Sequence, residues 1–145
     1  AAKVAAIKQR CPAVFVNARV DTYWLGQDAT AEPTLARADR YVRAGADGIF
    51  LPGLTDRGVL GHAIGALPVP VNALISPDLG LAELAALGAR RVSTGSLPYR
   101  ASLRAALDVA AAVRDGSDLP PGIPYAELQE ALREFDGDRP ADQAL

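Results

Sequence analysis

The chain is poor in the residues that staple a fold, anchor it to a membrane or bind polyanions. It has one cysteine in 145 residues, and a lone Cys11 cannot close an internal disulfide. No apolar run approaches the roughly 18 residues needed to span a bilayer, and no signal peptide opens the sequence, so a cytoplasmic setting is expected. Lys and Arg (15) are interspersed with Asp and Glu (17) for a net charge of −2. That leaves neither a basic stripe for nucleic acid nor a polybasic anchor for a membrane. Methionine is absent even at position 1, and the chain opens inside a helical pattern, AAKVAAIKQR. It is expected to be a fragment of a longer protein.

Half of the residues are hydrophobic, enough to bury one core, and their spacing alternates between two periods. AVFVNA (13–18) is a short continuous apolar run, as for a strand covered on both faces. In TAEPTLARADRYVRAGA, Thr30 can cap, Glu32 and Pro33 suit a first turn, Leu35, Ala38, Tyr41 and Val42 recur at helical spacing, and Gly45 can close the helix. A second strand at 47–53, a weaker helix at 55–67, a third strand at 70–75, a helix at 79–89, a fourth strand at 90–95 and a long Ala-rich helix at 96–116 complete four β-α units.

Strands alternating with helices through short loops argue for parallel strands in an α/β fold. Two architectures accept the pattern, a doubly wound sheet or a (β/α)8 barrel. The strand ends are small or polar: Asn17-Ala18-Arg19, Pro52-Gly53, Ser76-Pro77-Asp78 and Ser93-Thr94-Gly95-Ser96. In a barrel they would gather on the face that carries active sites. Four units make half a barrel, with two open edges that call for a partner. As a barrel, residues 1–116 would be its second half, and a missing N-terminal half fits the abrupt start. Residues 117–145 are expected to form a Gly- and Pro-rich linker, a short helix at 126–137 and a frayed tail from 138 onward.

Four segments, FVNARVDTYWLG, RADRYVRAGADGIFLPGL, VPVNALISP and LAELAALGARRVSTGSLPYRASLRAAL, resemble in order and spacing the second half of the phosphoenolpyruvate mutase and isocitrate lyase superfamily. The resemblance implies strands 5–8 of a (β/α)8 TIM barrel. It implies an enzyme that forms or cleaves C–C bonds, or rearranges or hydrolyses P–C bonds, in small 2-oxo or 2-hydroxy carboxylates through an enolate stabilised by Mg2+ or Mn2+. It also implies a homo-oligomer, dimer or tetramer. Arg19 matches the arginine of the family's ARTD motif, at the top of the fifth strand, which contacts the substrate carboxylate.

A guanidinium cannot lose its proton and grips a carboxylate bidentately, and it suits the charge that builds on an enolate oxygen. The alternative is that Arg19 only pairs with Asp21 and fixes a loop. Asp21 can orient Arg19 or cap that loop, and Asn17 shares the Arg19 face of a regular strand.

Other family determinants are missing. The end of the sixth strand reads Leu51-Pro52-Gly53-Leu54, with neither the histidine of the mutases nor the glutamate of the methylisocitrate-type lyases. After the seventh strand, Leu74-Ile75-Ser76-Pro77 replaces Asn-x-Thr-Glu, and only Ser76 can imitate the hydroxyl. The metal ligands of the family, an Asp-x-Asp and a Glu-Asp, belong to strands that precede this chain, as does the loop with the catalytic cysteine. This chain alone is thus expected to hold no metal and to turn nothing over.

Cys11, before its strand, is expected to be a small packing residue, and His62 a surface or packing histidine. Tyr23 and Trp24 can roof the pocket or pack on a loop. Gly95 and its neighbours can offer amides to an anion or simply make a tight turn, and Arg100 can tie the last helix to a neighbour. Beside the lyase or mutase reading stand a (β/α)8 enzyme that binds a phosphate at Gly95-Ser96, and a non-catalytic half barrel that assembles through its open edges.

Overall fold

The strands pair in the order in which they are made. In the computed structural model, which describes residues 1–137, β1 (Asn17–Arg19), β2 (Gly48–Leu51), β3 (Val71–Leu74) and β4 (Arg91–Ser93) form one four-stranded sheet in that sequence, every neighbouring pair parallel. A doubly wound sheet reverses strand order at a switch point. Here the order never reverses, and with right-handed crossovers the connecting helices fall on one face of the sheet, as in a barrel.

That face is the core. Ala18, Ile49, Leu51, Val71 and Ala73 are buried on it with Val4 of α1 (Ala2–Arg10), Ala38 of α3 (Ala31–Arg43), Leu60 of α4 (Arg57–Ala66) and Leu84 of α5 (Leu81–Ala86). The pattern follows from strand alternation, in which odd and even residues face opposite ways. Helix α3 starts with Glu32 in its first turn and ends with Arg40 and Arg43 in its last, complementing the helix dipole, and it ends before Gly45 as its sequence suggests. Helix α4 is capped by Asp56, whose carboxylate accepts the Val59 N–H at 2.8 Å.

The first strand is shorter than its apolar run. Ala13–Val16 stay outside the strand, and other partners take their backbone groups: Lys8 Nζ donates to the Val14 carbonyl, as it does to that of Pro12 just before, the Val14 N–H donates to the Cys11 carbonyl, and Asp47 accepts the Val16 N–H. Phe15 is correspondingly exposed. Cys11 is exposed at the end of α1, which corrects its expected packing role: α1 has turned its chain end to solvent there.

Two compact units divide at Leu97/Pro98. The first holds the sheet and α1–α5, including the one-turn α2 (Thr22–Leu25). The second consists of most of α6 (Leu97–Asp115), a connecting segment and α7 (Tyr125–Gly137); Leu103, Leu107 and Val113 are exposed on α6, as are Leu128 and Leu132 on α7. The expected frayed tail lies outside the described residues. No helix is long and apolar enough to cross a membrane among the described residues.

Candidate functional site

Opposite the helix-covered face, the strand register lines up one row of side chains. Arg19 pairs with Phe50, Phe50 with Asn72 and Asn72 with Arg91, and register partners on parallel strands point the same way. Asn17, two residues before Arg19, shares this face and is paired with Gly48. The row contains two guanidinium groups and no carboxylate.

Arg19 ends the edge strand β1 and is held on three sides. Its Nε donates to Oδ1 of Asp21 at 2.5 Å. The guanidinium carbon lies 5.4 Å from the Trp24 ring centroid and 5.9 Å from that of Phe50, within cation–π range. Its two terminal nitrogens make no hydrogen bond among the described residues, and the side chain is 46% exposed. A guanidinium gripped through Nε with both Nη groups available presents the fork that a carboxylate accepts bidentately. The ion pair that the loop-fixing alternative requires is thus present, yet it uses only one of the five N–H donors.

Asp21 stands at the start of α2 but makes no side-chain cap, because its carboxylate goes to Arg19. The Tyr23 phenol, next along α2, is held above its usual range by burial and then by the negative charge of Asp56. Beside Arg19 a cleft of about 390 Å3 runs to Val4, Ala18 and Tyr41, along the unpaired edge of β1.

The structure therefore brings Arg19 and Asp21 together at the end of β1, with Asn17 on the same face at the start of that strand, beside Gly48. Ser76 and Gly95 belong to turns after β3 and β4. Ser76 Oγ accepts the Leu79 N–H at 3.2 Å within a small bridge. The Gly95 N–H donates to Ser93 Oγ at 3.2 Å, and a Cβ on Gly95 would stand 3.0 Å from Leu74 Cδ1. His62 lines a groove between α3 and α4 with Leu35 and Asp39, in the helix layer.

Asn72 is a residue that pattern reading passed over. It is 2% exposed, and neither its Nδ2 nor its Oδ1 has a partner among the described residues, although buried amides are nearly always satisfied. A single polar residue inside the apolar strand PVNALI was the available signal.

No cluster of three His, Cys, Asp or Glu side chains able to hold a metal occurs among the described residues. Mg2+ takes six oxygens, one or two of them from carboxylates and the rest mostly from water; the carboxylate at the end of β1, Asp21, is committed to Arg19, and the face beside it is cationic. The donor set of the described residues does not fit the metal.

Residues 1–114 match the phosphoenolpyruvate phosphomutase family. An uncharacterized protein of Mycobacterium tuberculosis is 55% identical over 136 residues, covering 94% of this chain and 53% of its own length. An oxaloacetate decarboxylase of Bradyrhizobium is 33% identical over 111 residues, covering 72% of this chain and 38% of its own. The solved structure of a phosphonopyruvate hydrolase in complex with oxalate and Mg2+ superposes with a TM-score of 0.66 at 26% identity, covering 94% of this chain and 53% of that one. The chain thus spans about half the length of these proteins or less. With four parallel β-α units in barrel order and Arg19 at the first strand end, it belongs to the phosphoenolpyruvate phosphomutase family, in the isocitrate lyase superfamily.

Proposed function

We propose that this chain is the C-terminal half, strands 5–8, of a (β/α)8 lyase or mutase acting on small 2-oxo or 2-hydroxy carboxylates, with Arg19 gripping the substrate carboxylate. The observation that carries the reading is the state of Arg19: oriented by Asp21, flanked by Trp24 and Phe50, with its terminal nitrogens unbonded. The phosphonopyruvate hydrolase with oxalate and the oxaloacetate decarboxylase both point to small dianionic ligands. Such a ligand would place one carboxylate on the Arg19 fork, where the fixed cation opposes charge gathering on the adjacent oxygen. Asp21 orients that fork, and in this reading Asn17, Ser76 and Gly95 contribute further substrate contacts from the strand face and the strand-end turns. The Mg2+ or Mn2+ that would polarise the substrate carbonyl is held by residues outside this chain. By itself the chain turns over no 2-oxoacid. The full enzyme is a cytoplasmic homo-oligomer in this reading.

Trp24 is the single tryptophan and packs against Arg19, so its emission reports on the site. Oxalate titrated into the protein is expected to change that emission saturably. Arg19→Lys should weaken binding about tenfold, the factor for a lost charge-assisted hydrogen bond, and Arg19→Gln should abolish it. No response from the wild type, or an equal response from Arg19→Gln, overturns the reading. The outer edges of β1 and β4, unpaired among the described residues, favour one other reading, a non-catalytic half barrel that self-assembles; sedimentation showing stable multimers that ignore oxalate would select it.

A further inference from the structure

Helix α2 is a single turn, Thr22–Leu25, too short to hold itself by its own hydrogen bonds. It nevertheless carries two of the three groups around Arg19, Asp21 at its start and Trp24 within it. Something outside α2 must hold it. Thr22 and Thr34 are each 1% exposed, and their hydroxyl oxygens lie 2.6 Å apart. The Thr34 hydroxyl also bonds to the Thr30 carbonyl at 2.7 Å. A hydroxyl has one proton; a carbonyl can only accept, so Thr34 spends its proton on Thr30 and must accept from Thr22. The direction of the Thr22 bond is thereby set. Thr34 sits on α3, whose Ala38 is fully buried in the core.

We propose that this buried Thr22–Thr34 hydroxyl pair is the device that positions Arg19 for its carboxylate ligand, making both threonines positioning residues of the site. The proposal rests on Arg19 being the ligand-gripping group. The line of support runs from the core through α3 to Thr34, across one hydrogen bond to Thr22, and through α2 to Asp21 and Trp24. The two ends of the bond respond differently to removal. Thr22→Val deletes a donor and leaves Thr34 still bonded to Thr30. Thr34→Val leaves the buried Thr22 hydroxyl without its acceptor, while the Thr30 carbonyl keeps the backbone N–H of residue 34 at 3.4 Å; an orphaned buried donor is the costlier loss.

The test uses 15N-labelled protein below its melting temperature, following solvent exchange of the Arg19 Nε–H together with Trp24 emission. Thr22→Val should speed that exchange about fivefold, the factor for one neutral hydrogen bond, and shift the emission, with Thr34→Val doing more. Thr22→Ser and Thr34→Ser keep the hydroxyls and should read as wild type. A role limited to overall stability would lower the melting temperature without moving either signal. Unchanged exchange and emission in folded Thr22→Val would overturn the proposal, as would serine variants that behave like valine. If Thr34→Val does not fold, the Thr22→Val and Thr22→Ser pair decides. If instead Arg19→Gln leaves the oxalate response intact, the carboxylate-binding reading falls while the positioning of Arg19 is still measured.

Discussion

The Lys8 ammonium lies 3.0 Å from Oδ2 of Asp47, and that same oxygen accepts the Val16 N–H at 2.8 Å. Lys8 closes the arrangement by donating to the carbonyls of Pro12 and Val14 at 2.9 and 3.1 Å. One lysine and one aspartate thereby fasten the end of α1, the segment leading into β1 and the residue preceding β2. Strand β1 leaves this fastening and delivers Arg19 at its other end.

The Asp47 carboxyl is held below its usual range, first by the Val16 N–H and then by the Lys8 ammonium. A carboxylate with a lowered folded-state pKa stabilises the fold above its unfolded value, and the contribution is lost as pH falls through the folded one. Asp47→Asn should therefore flatten the acid side of the stability profile. Urea midpoints taken from neutral pH down to about pH 3, across the ordinary carboxylate range, should fall more steeply in the wild type than in the variant. Parallel curves would show that Asp47 is not held in this way.

Asn72 buries an amide with no partner among the described residues, and an unsatisfied buried polar group costs about 1–3 kcal/mol. Leucine keeps the branched shape without the polar atoms. Asn72→Leu is expected to stabilise this 145-residue chain by an amount up to that figure, read from chemical unfolding. A loss of stability would mean that the amide is satisfied in solution.

Gly53 has φ +77°, and a Cβ there would stand 3.1 Å from the Trp24 backbone nitrogen and 3.2 Å from its Cα. The loop after β2 thus seats α2 by approaching backbone to backbone. Gly53→Ala should cost about 1–3 kcal/mol through its left-handed conformation alone. It should also shift Trp24 emission, because α2 must move. A variant with wild-type melting temperature and emission would refute the seating of α2 on Gly53.

Much of this molecule was legible along the chain. The four β-α units stood out because their periods are local properties, and the Arg19 segment stood out because a strand that ends in a cation is unusual. The length of β1 was not legible. AVFVNA reads as a strand throughout, yet only Asn17 and the next two residues are strand, since the preceding backbone is taken by Lys8 and by Asp47, the latter 31 residues beyond Val16. Asn72 was passed over for a similar reason, because one polar letter in an apolar run does not show whether it will find a partner.

By itself the sequence determined the fold class, the order of elements and the candidate cation, because hydrophobic period, capping and turn chemistry act within a few residues. Tertiary structure decided which groups surround Arg19. Asp21 is a near neighbour in sequence, but Phe50 reaches the guanidinium through strand register, and Trp24 through a helix held by Thr34 and Gly53. The choice between barrel and doubly wound order was also made there, since it depends on how strands separated by whole helices pair and on which face those helices cover.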